Sequence, residues 1–447
     1  MNRKLLILPI LFLVVAMVAC KIMRIAPSST PTIRSNVSVS TETTYVSPEP
    51  TALPTLALNP TSILTPPSVL TPAVKNTQDL FRWEIELVED SPVESASVDL
   101  DSKNRPHISF ISYSPDGEIP RINYAYLDET KWHREVVIED KDICRITNLV
   151  LDSSDLPHIG YLSKVNESCD NDKIIQYAHQ SGEQWIIDTV PIPQDLIPTH
   201  LIMALNSSDL PAFVYCQDIF DVFLPITYQY TSHCEDILYA NYDGANWQSE
   251  TIPGASGAPY SLIFDSLDKP HILYTEGFPL KYVYLQEKDW IIDTVIEYEN
   301  HDAGIYSPVL ALDQLNQPHI SFFYEPQFRN RFLNYASYQD GNWIIEKVEK
   351  PANCEPYETA SIDLDIDTSG FPHISYFTCG IILKYATFDG KSWDTEIIEG
   401  GYKNDISFIH YSTAMVLDSF DMPHIVYYVD DKQNGLYFLK YAKLVNK

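Results

Sequence analysis

Six histidines occupy one recurring context that could carry acid–base chemistry. Each follows a proline, and each has an aspartate six residues earlier: Asp101 with His107, Asp152 with His158, Asp265 with His271, Asp313 with His319, Asp367 with His373 and Asp418 with His424. A carboxylate accepting from an imidazole N–H fixes the tautomer of the ring, which is the arrangement general-base catalysis uses. Repetition argues against that use, because an active site needs one constellation and not six. A seventh copy has lost both partners together, with Asn206 and Ala212 at the two positions. Joint loss implies that the side chains touch, and the pairs are read as structural.

The pairs belong to a longer repeat. Its Pro-His position recurs at spacings of 51, 54, 59, 48, 54 and 51 residues, counting Pro211-Ala212 as the degraded copy. Each copy continues into a strand holding Tyr124, Tyr177, Tyr239, Tyr282, Tyr335, Tyr385 or Tyr441, then a turn, then a Trp followed by alternating apolar residues. The seventh copy ends before reaching its Trp, and the missing piece stands ahead of the first copy as Trp83 to Val88. All 7 Trp of the chain are thereby placed. In the first copy Ser97 to Asp101, His107 to Tyr113, Ile122 to Leu127 and Trp132 to Glu139 alternate as short strands do. The turn between the first two holds Asn104, and the other copies place Asp155, Asp209, Asp268, Asn316, Gly370 and Asp421 there, the residue types that tolerate positive φ. Four-stranded antiparallel units repeated in a circle predict an all-β, seven-bladed β-propeller, closed by an N-terminal strand that completes blade seven.

The third turn of several copies reads Asp243-Gly244-Ala-Asn-Trp247, Asp340-Gly341-Asn-Trp343 and Asp389-Gly390-Lys-Ser-Trp393. It resembles the Asp-box of the bacterial-neuraminidase-type repeat, found at the same turn of sialidase-like propellers, although the Ser or Thr that opens the box is absent. The resemblance covers residues 81 to 447 and implies the fold; it carries no activity with it.

The rest of the chain predicts where such a ring would work. Residues 1–20 read as a lipoprotein-type signal peptide, with Arg3 and Lys4, an apolar run from Leu5 to Val18, and Met17-Val18-Ala19-Cys20, which resembles a lipobox with Cys20 as the lipidated residue. Residues 21–78 are rich in Pro, Ser and Thr and nearly uncharged, a disordered linker, and 79–447 form the propeller. The expectation is an exported protein held on the outer face of a bacterial membrane through lipid on Cys20, with a monomeric head. The remaining cysteines fall as Cys144 with Cys169, Cys216 with Cys234 and Cys354 with Cys379, each pair within one repeat, which suggests local disulfides. None of these spacings suits a zinc site.

With 61 Asp plus Glu against 30 Lys plus Arg and a net charge of -31, nucleic acid is excluded as a partner. Loops between second and third strands, and between blades, vary in length and share one face, the usual carrier of recognition. The longest runs from Cys216 to Cys234 and holds Phe220, Phe223, Tyr228 and Tyr230; with Arg329 and Arg331 these are the candidate ligand-binding residues. First strands would line the axis, and residues such as Ser261 to Phe264 and Val309 to Leu312 predict a small, apolar lining there. No catalytic residue, metal site or cofactor is assigned, although Asp218 to Asp221 and Asp170 to Asp172 offer the oxygen ligands calcium takes. The predicted activity is a binding module for an extracellular polysaccharide or protein. The alternative is a carbohydrate-active enzyme, a sialidase-like glycoside hydrolase or a lyase, drawing on arginines such as Arg121, Arg145, Arg329 and Arg331.

Overall fold

The computed structural model describes residues 81–447 apart from 166–168, 170–172, 194–195, 220–232, 276–278, 298–303, 328–329, 351–360, 379–381, 401–408 and 432–435. Seven four-stranded antiparallel sheets follow one another along this part of the chain. In blade one the strands are Glu94–Leu100, Pro106–Tyr113, Pro120–Leu127 and Trp132–Glu139, hydrogen-bonded in chain order. In the seventh sheet Ile409–Leu417, Pro423–Asp431 and Leu436–Asn446 are completed by Phe81–Glu89, which pairs antiparallel with the last of them from Phe81 opposite Asn446 to Leu87 opposite Lys440. First strands of all neighbouring blades pack on one another, blade seven against blade one included, so the ring closes as expected.

The core is divided among the seams. Among the described residues seven apolar clusters form, and each joins two adjacent blades, as Ile111, Ile122 and Tyr124 of blade one meet Leu149, Ile159 and Tyr161 of blade two. Second strands are covered on both faces and buried along nearly their whole length, their His and Ser included, whereas fourth strands are half-buried or exposed. Every Trp packs edge-on against the third-strand Tyr of the preceding blade, at centroid distances of 5.3 to 6.2 Å.

That Trp also has a polar link. The indole N–H donates to the Glu lying three residues after the preceding blade's own Trp: Trp132 to Glu86, Trp185 to Glu135, Trp290 to Glu250, Trp393 to Glu346 and Trp83 to Glu396. Where Asp occupies that position, as Asp188 and Asp293, the bond to the next Trp is not made. One missing methylene leaves Trp343 Nε1 buried without a partner, while burial raises the Asp293 carboxyl above its ordinary pKa. Replacing Asp293→Glu should therefore stabilise the ring by about 1 kcal/mol, the net worth of one restored hydrogen bond. Urea denaturation reads this directly as a higher midpoint at unchanged slope, and an unmoved or lower midpoint would refute the pairing rule.

A second belt runs through the turns between first and second strands. All seven positions expected to have positive φ have it, from 58° at Asp268 to 84° at Gly370. Their side chains accept from the previous blade: the amide and hydroxyl of Ser102 bond Asp155, those of Ser153 bond Asp209, those of Ser207 bond Asp268, and those of Thr368 bond Asp421. Two blades use Asn in place of Asp, and there the hydroxyls of Ser266 and Ser419 become acceptors from Asn316 and Asn104. A hydroxyl donates or accepts as required, so either residue serves. Between blades five and six Gln314 and Gly370 replace both members, and the belt is open at that seam.

Candidate functional site

The six Asp-His pairs are in place, and each serves the turn. In every copy Oδ1 accepts backbone amides two and four residues on, as Asp101 does from Lys103 and Arg105, and Asn206 does the same from Ser208 and Leu210. The second oxygen faces imidazole Nε2 at 3.4 to 3.6 Å, a looser contact than the expected hydrogen bond. The strong partner of each ring is one the spacing did not indicate: Nδ1 accepts from the hydroxyl of the third-strand Tyr, Tyr124, Tyr177, Tyr282, Tyr335, Tyr385 or Tyr441. An Asn facing Nε2–H would set donor against donor, which explains why Asn206 coexists only with Ala212. Burial holds all six histidines below their ordinary pKa, so they are neutral struts. The Asp of the third turn also braces backbone, since Asp128, Asp243 and Asp389 each accept two amides of their own turn. Both recurring motifs therefore hold one face of the ring.

The axis differs from expectation. Asp99, Asp363 and Asp365 project from first strands and are half-buried. Each bridges to the next blade, whose first-strand amides lack a sheet partner on the inner edge: Leu151 donates to Asp99, Met415 to Asp363 and Leu417 to Asp365. Burial, only partly offset by these amides, pushes Asp99 up to about 6 and Asp363 up to about 7, and raises Asp365 in the same direction. At the equivalent positions of blade five stand Val309 and Ala311, which pack into the apolar seam with blade six, so the expected small, apolar character holds there but not at the aspartates.

Phe220, Phe223, Tyr228, Tyr230 and Arg329 lie outside the described residues, as do Cys20, Cys354, Cys379 and the acidic stretch 170–172. The disulfides Cys144–Cys169 and Cys216–Cys234 are formed. Among the described residues the one close grouping of metal-ligand types is His200 with Cys216 and Cys234, whose sulfurs are bonded to each other. Arg331 is buried, ion-paired to Glu325 at 3.2 Å and stacked over Tyr306 at 4.3 Å, a packing role within blade five. Arg121 is likewise paired, with Glu139.

A cleft of about 340 Å³ opens on the face opposite the two recurring motifs, at the seam of blades one and two. Tyr113, Pro120, Lys141, Lys164, Lys173 and the Cys144–Cys169 disulfide form its walls. Cys144 is buried at the start of the first strand of blade two, Ile143–Leu151, and the bridge ties that strand to the loop ahead of Lys173. The Tyr113 hydroxyl donates to Glu94 at 3.0 Å, which fixes the plane of the ring. The amide of Lys164 donates to the carbonyl of Asp142, linking the strand bearing Lys164 to the loop bearing Lys141. These lysines come from three segments, so no local motif announces them.

No protein-family model matches the chain, and no curated protein matches it. Solved structures do resemble it. A virginiamycin B lyase from Staphylococcus aureus aligns at 10% identity over 82% of this chain and 99% of its own, with a TM-score of 0.47. AofleA from Arthrobotrys oligospora aligns at 12% identity over 72% and 90%, with a TM-score of 0.44. The GH93 alpha-L-arabinofuranosidase of Fusarium graminearum aligns at 10% identity over 80% and 96%, also at 0.44. Likenesses this distant carry no argument about activity.

Proposed function

We propose that the propeller is the exported head of a lipid-anchored surface protein and that it binds an extracellular polysaccharide through its loop face. The observation supporting this is the division of labour between faces. The Ser-Asp belt and the Asp-capped turns fill one face with internal bonds, whereas the other carries a disulfide-braced cleft with a fixed aromatic ring and several cations. An oriented Tyr beside long polar side chains is suited to the stacked, hydrogen-bonded recognition of sugars. The linker 21–78 would separate the head from lipid on Cys20.

Glycoside hydrolysis is the second reading, favoured by the channel carboxylates, since a raised carboxyl is what a general acid requires. Their bonds to backbone amides point instead to joining blades. One screen separates the two readings. The full chain in detergent, passed over immobilised neutral and acidic polysaccharides, should retain at least one of them with no change in its mass. Released oligosaccharides would put the hydrolase first, and no retention on any polysaccharide would remove the binding reading.

A further inference from the structure

We infer that the cleft between blades one and two takes a saccharide carrying an anionic group, a carboxylate or a sulfate. The inference rests on the polysaccharide reading above and narrows it to one place and one ligand chemistry. Lys164 and Lys173 stand directly opposite each other across an antiparallel pair, the register at which like charges repel. Lys141 joins them from the preceding loop, so three cations meet around one opening. Among the described residues none of the three forms an ion pair, in a chain where acidic residues outnumber basic ones 61 to 30. Asp140 and Asp142 flank Lys141 without pairing to it, Asp140 accepting from the amide of Asp142, and the acidic stretch 170–172 ahead of Lys173 lies outside the described residues.

Grouping three lysines costs stability through repulsion, and a bound anion reverses the sign of that cost. Ammonium groups reach an anion as mobile point charges, which suits an anionic group on a sugar ring of variable orientation. The half-exposed ring of Tyr113 supplies an apolar plane at the edge of the cleft against which a sugar face can lie. The cleft volume, about 340 Å³, matches one or two sugar units and not a deep pocket for a whole chain. The ligand is therefore a residue within a polymer lying across the seam.

A net charge of -31 makes the test clean, because nonspecific attraction works against every polyanion. The full chain would be titrated with polygalacturonate, dextran sulfate and neutral dextran, alongside Lys164→Gln/Lys173→Gln and Lys141→Gln variants whose melting temperatures are checked. The expected result is retention of one polyanion over dextran, weakened about tenfold for each lysine removed, as loss of a charged contact implies. Preference for polygalacturonate assigns a carboxylate, and preference for dextran sulfate assigns a sulfate. Polyanion binding that survives in folded lysine variants would overturn the inference. Equal retention of neutral dextran by all forms would also overturn it while leaving the polysaccharide reading in place, and no retention by any form would end both.

Discussion

A chain lacking residues 81–89 should lose most of the stability of its ring, although the deleted strand lies at the outer edge of the last blade. That strand covers the edge of Leu436–Asn446 and buries Val88, which is 3% exposed, in the cluster joining blades seven and one. It also supplies links to both neighbours: Trp83 donates to Glu396 of blade six, and Glu86 and the Val88 carbonyl accept from Trp132 and Arg134 of blade one. Burying Val88 is worth about 1.5 to 3 kcal/mol and each polar link about 1 kcal/mol. Their sum, about 5 kcal/mol, is comparable to the whole stability of an ordinary domain, about 5 to 15 kcal/mol. Thermal melting of the deleted form should show a much lower, broader transition and a tendency to associate through the open edge. Adding a peptide of residues 79–90 should restore the native melt by strand addition. A deleted form that melts like the intact chain would show that blade seven does not depend on its N-terminal strand.

The architecture was legible because a ring of copies acts as its own alignment. Trp83 without a blade of its own and Tyr441 without a following Trp fixed the closure, and the Asn104-like positions announced their positive φ through residue type alone. Two inter-blade links are equally regular in the sequence, yet their pairing is not. Glu86, Glu135, Glu250, Glu346 and Glu396 keep a constant offset from Trp, and Ser102, Ser153, Ser207, Ser266, Thr368 and Ser419 each follow the Asp, or in one copy the Asn, that opens the turn. Their partners lie one blade away, near 50 residues in sequence, where spacing gives no hint of contact. The lysine cleft was not legible at all, since no other copy places lysine at the positions of Lys141, Lys164 and Lys173. Function here departs from the repeat, and the departures have no internal alignment to reveal them. The aromatic loop of Phe220 to Tyr230 stands out by composition, whereas the cleft lies one blade away and is built on charge.

Stability should fall steeply as pH drops through and below 6.5, because six buried imidazoles must stay neutral for the blades to close. Each histidine has an ordinary value of 6.5 and is lowered in the folded ring by burial. Below pH 6.5 the unfolded chain therefore binds protons that the folded chain refuses, and the stabilisation present above that pH is lost as pH falls toward the folded values. Protonation would also turn Nδ1 into a donor facing a tyrosine hydroxyl that already donates to it, breaking the strut. The channel acids act in the opposite direction. Asp99 and Asp363, raised to about 6 and about 7, and Asp365, also raised, take up protons in the folded state first, so their contribution is complete below 3.8 and is lost as pH rises through those values. Each titrating group changes the slope by at most about 1.4 kcal/mol per pH unit. Burial raises Asp293 and Glu396 as well, yet six histidines outnumber the five raised carboxyls, so the acid limb dominates and the carboxyls only blunt it. Calorimetric unfolding at pH 5.5, repeated in buffers of different ionisation enthalpy, should report net proton uptake on unfolding. The uptake should drop by about one proton in His424→Ala and rise in Asp363→Asn, whose carboxyl, raised to about 7, holds a proton at pH 5.5 in the folded ring but not in the unfolded chain. Zero uptake or net release at pH 5.5 would mean that the histidines are already charged in the folded ring, and the neutral-strut account of the repeat would fall with that result.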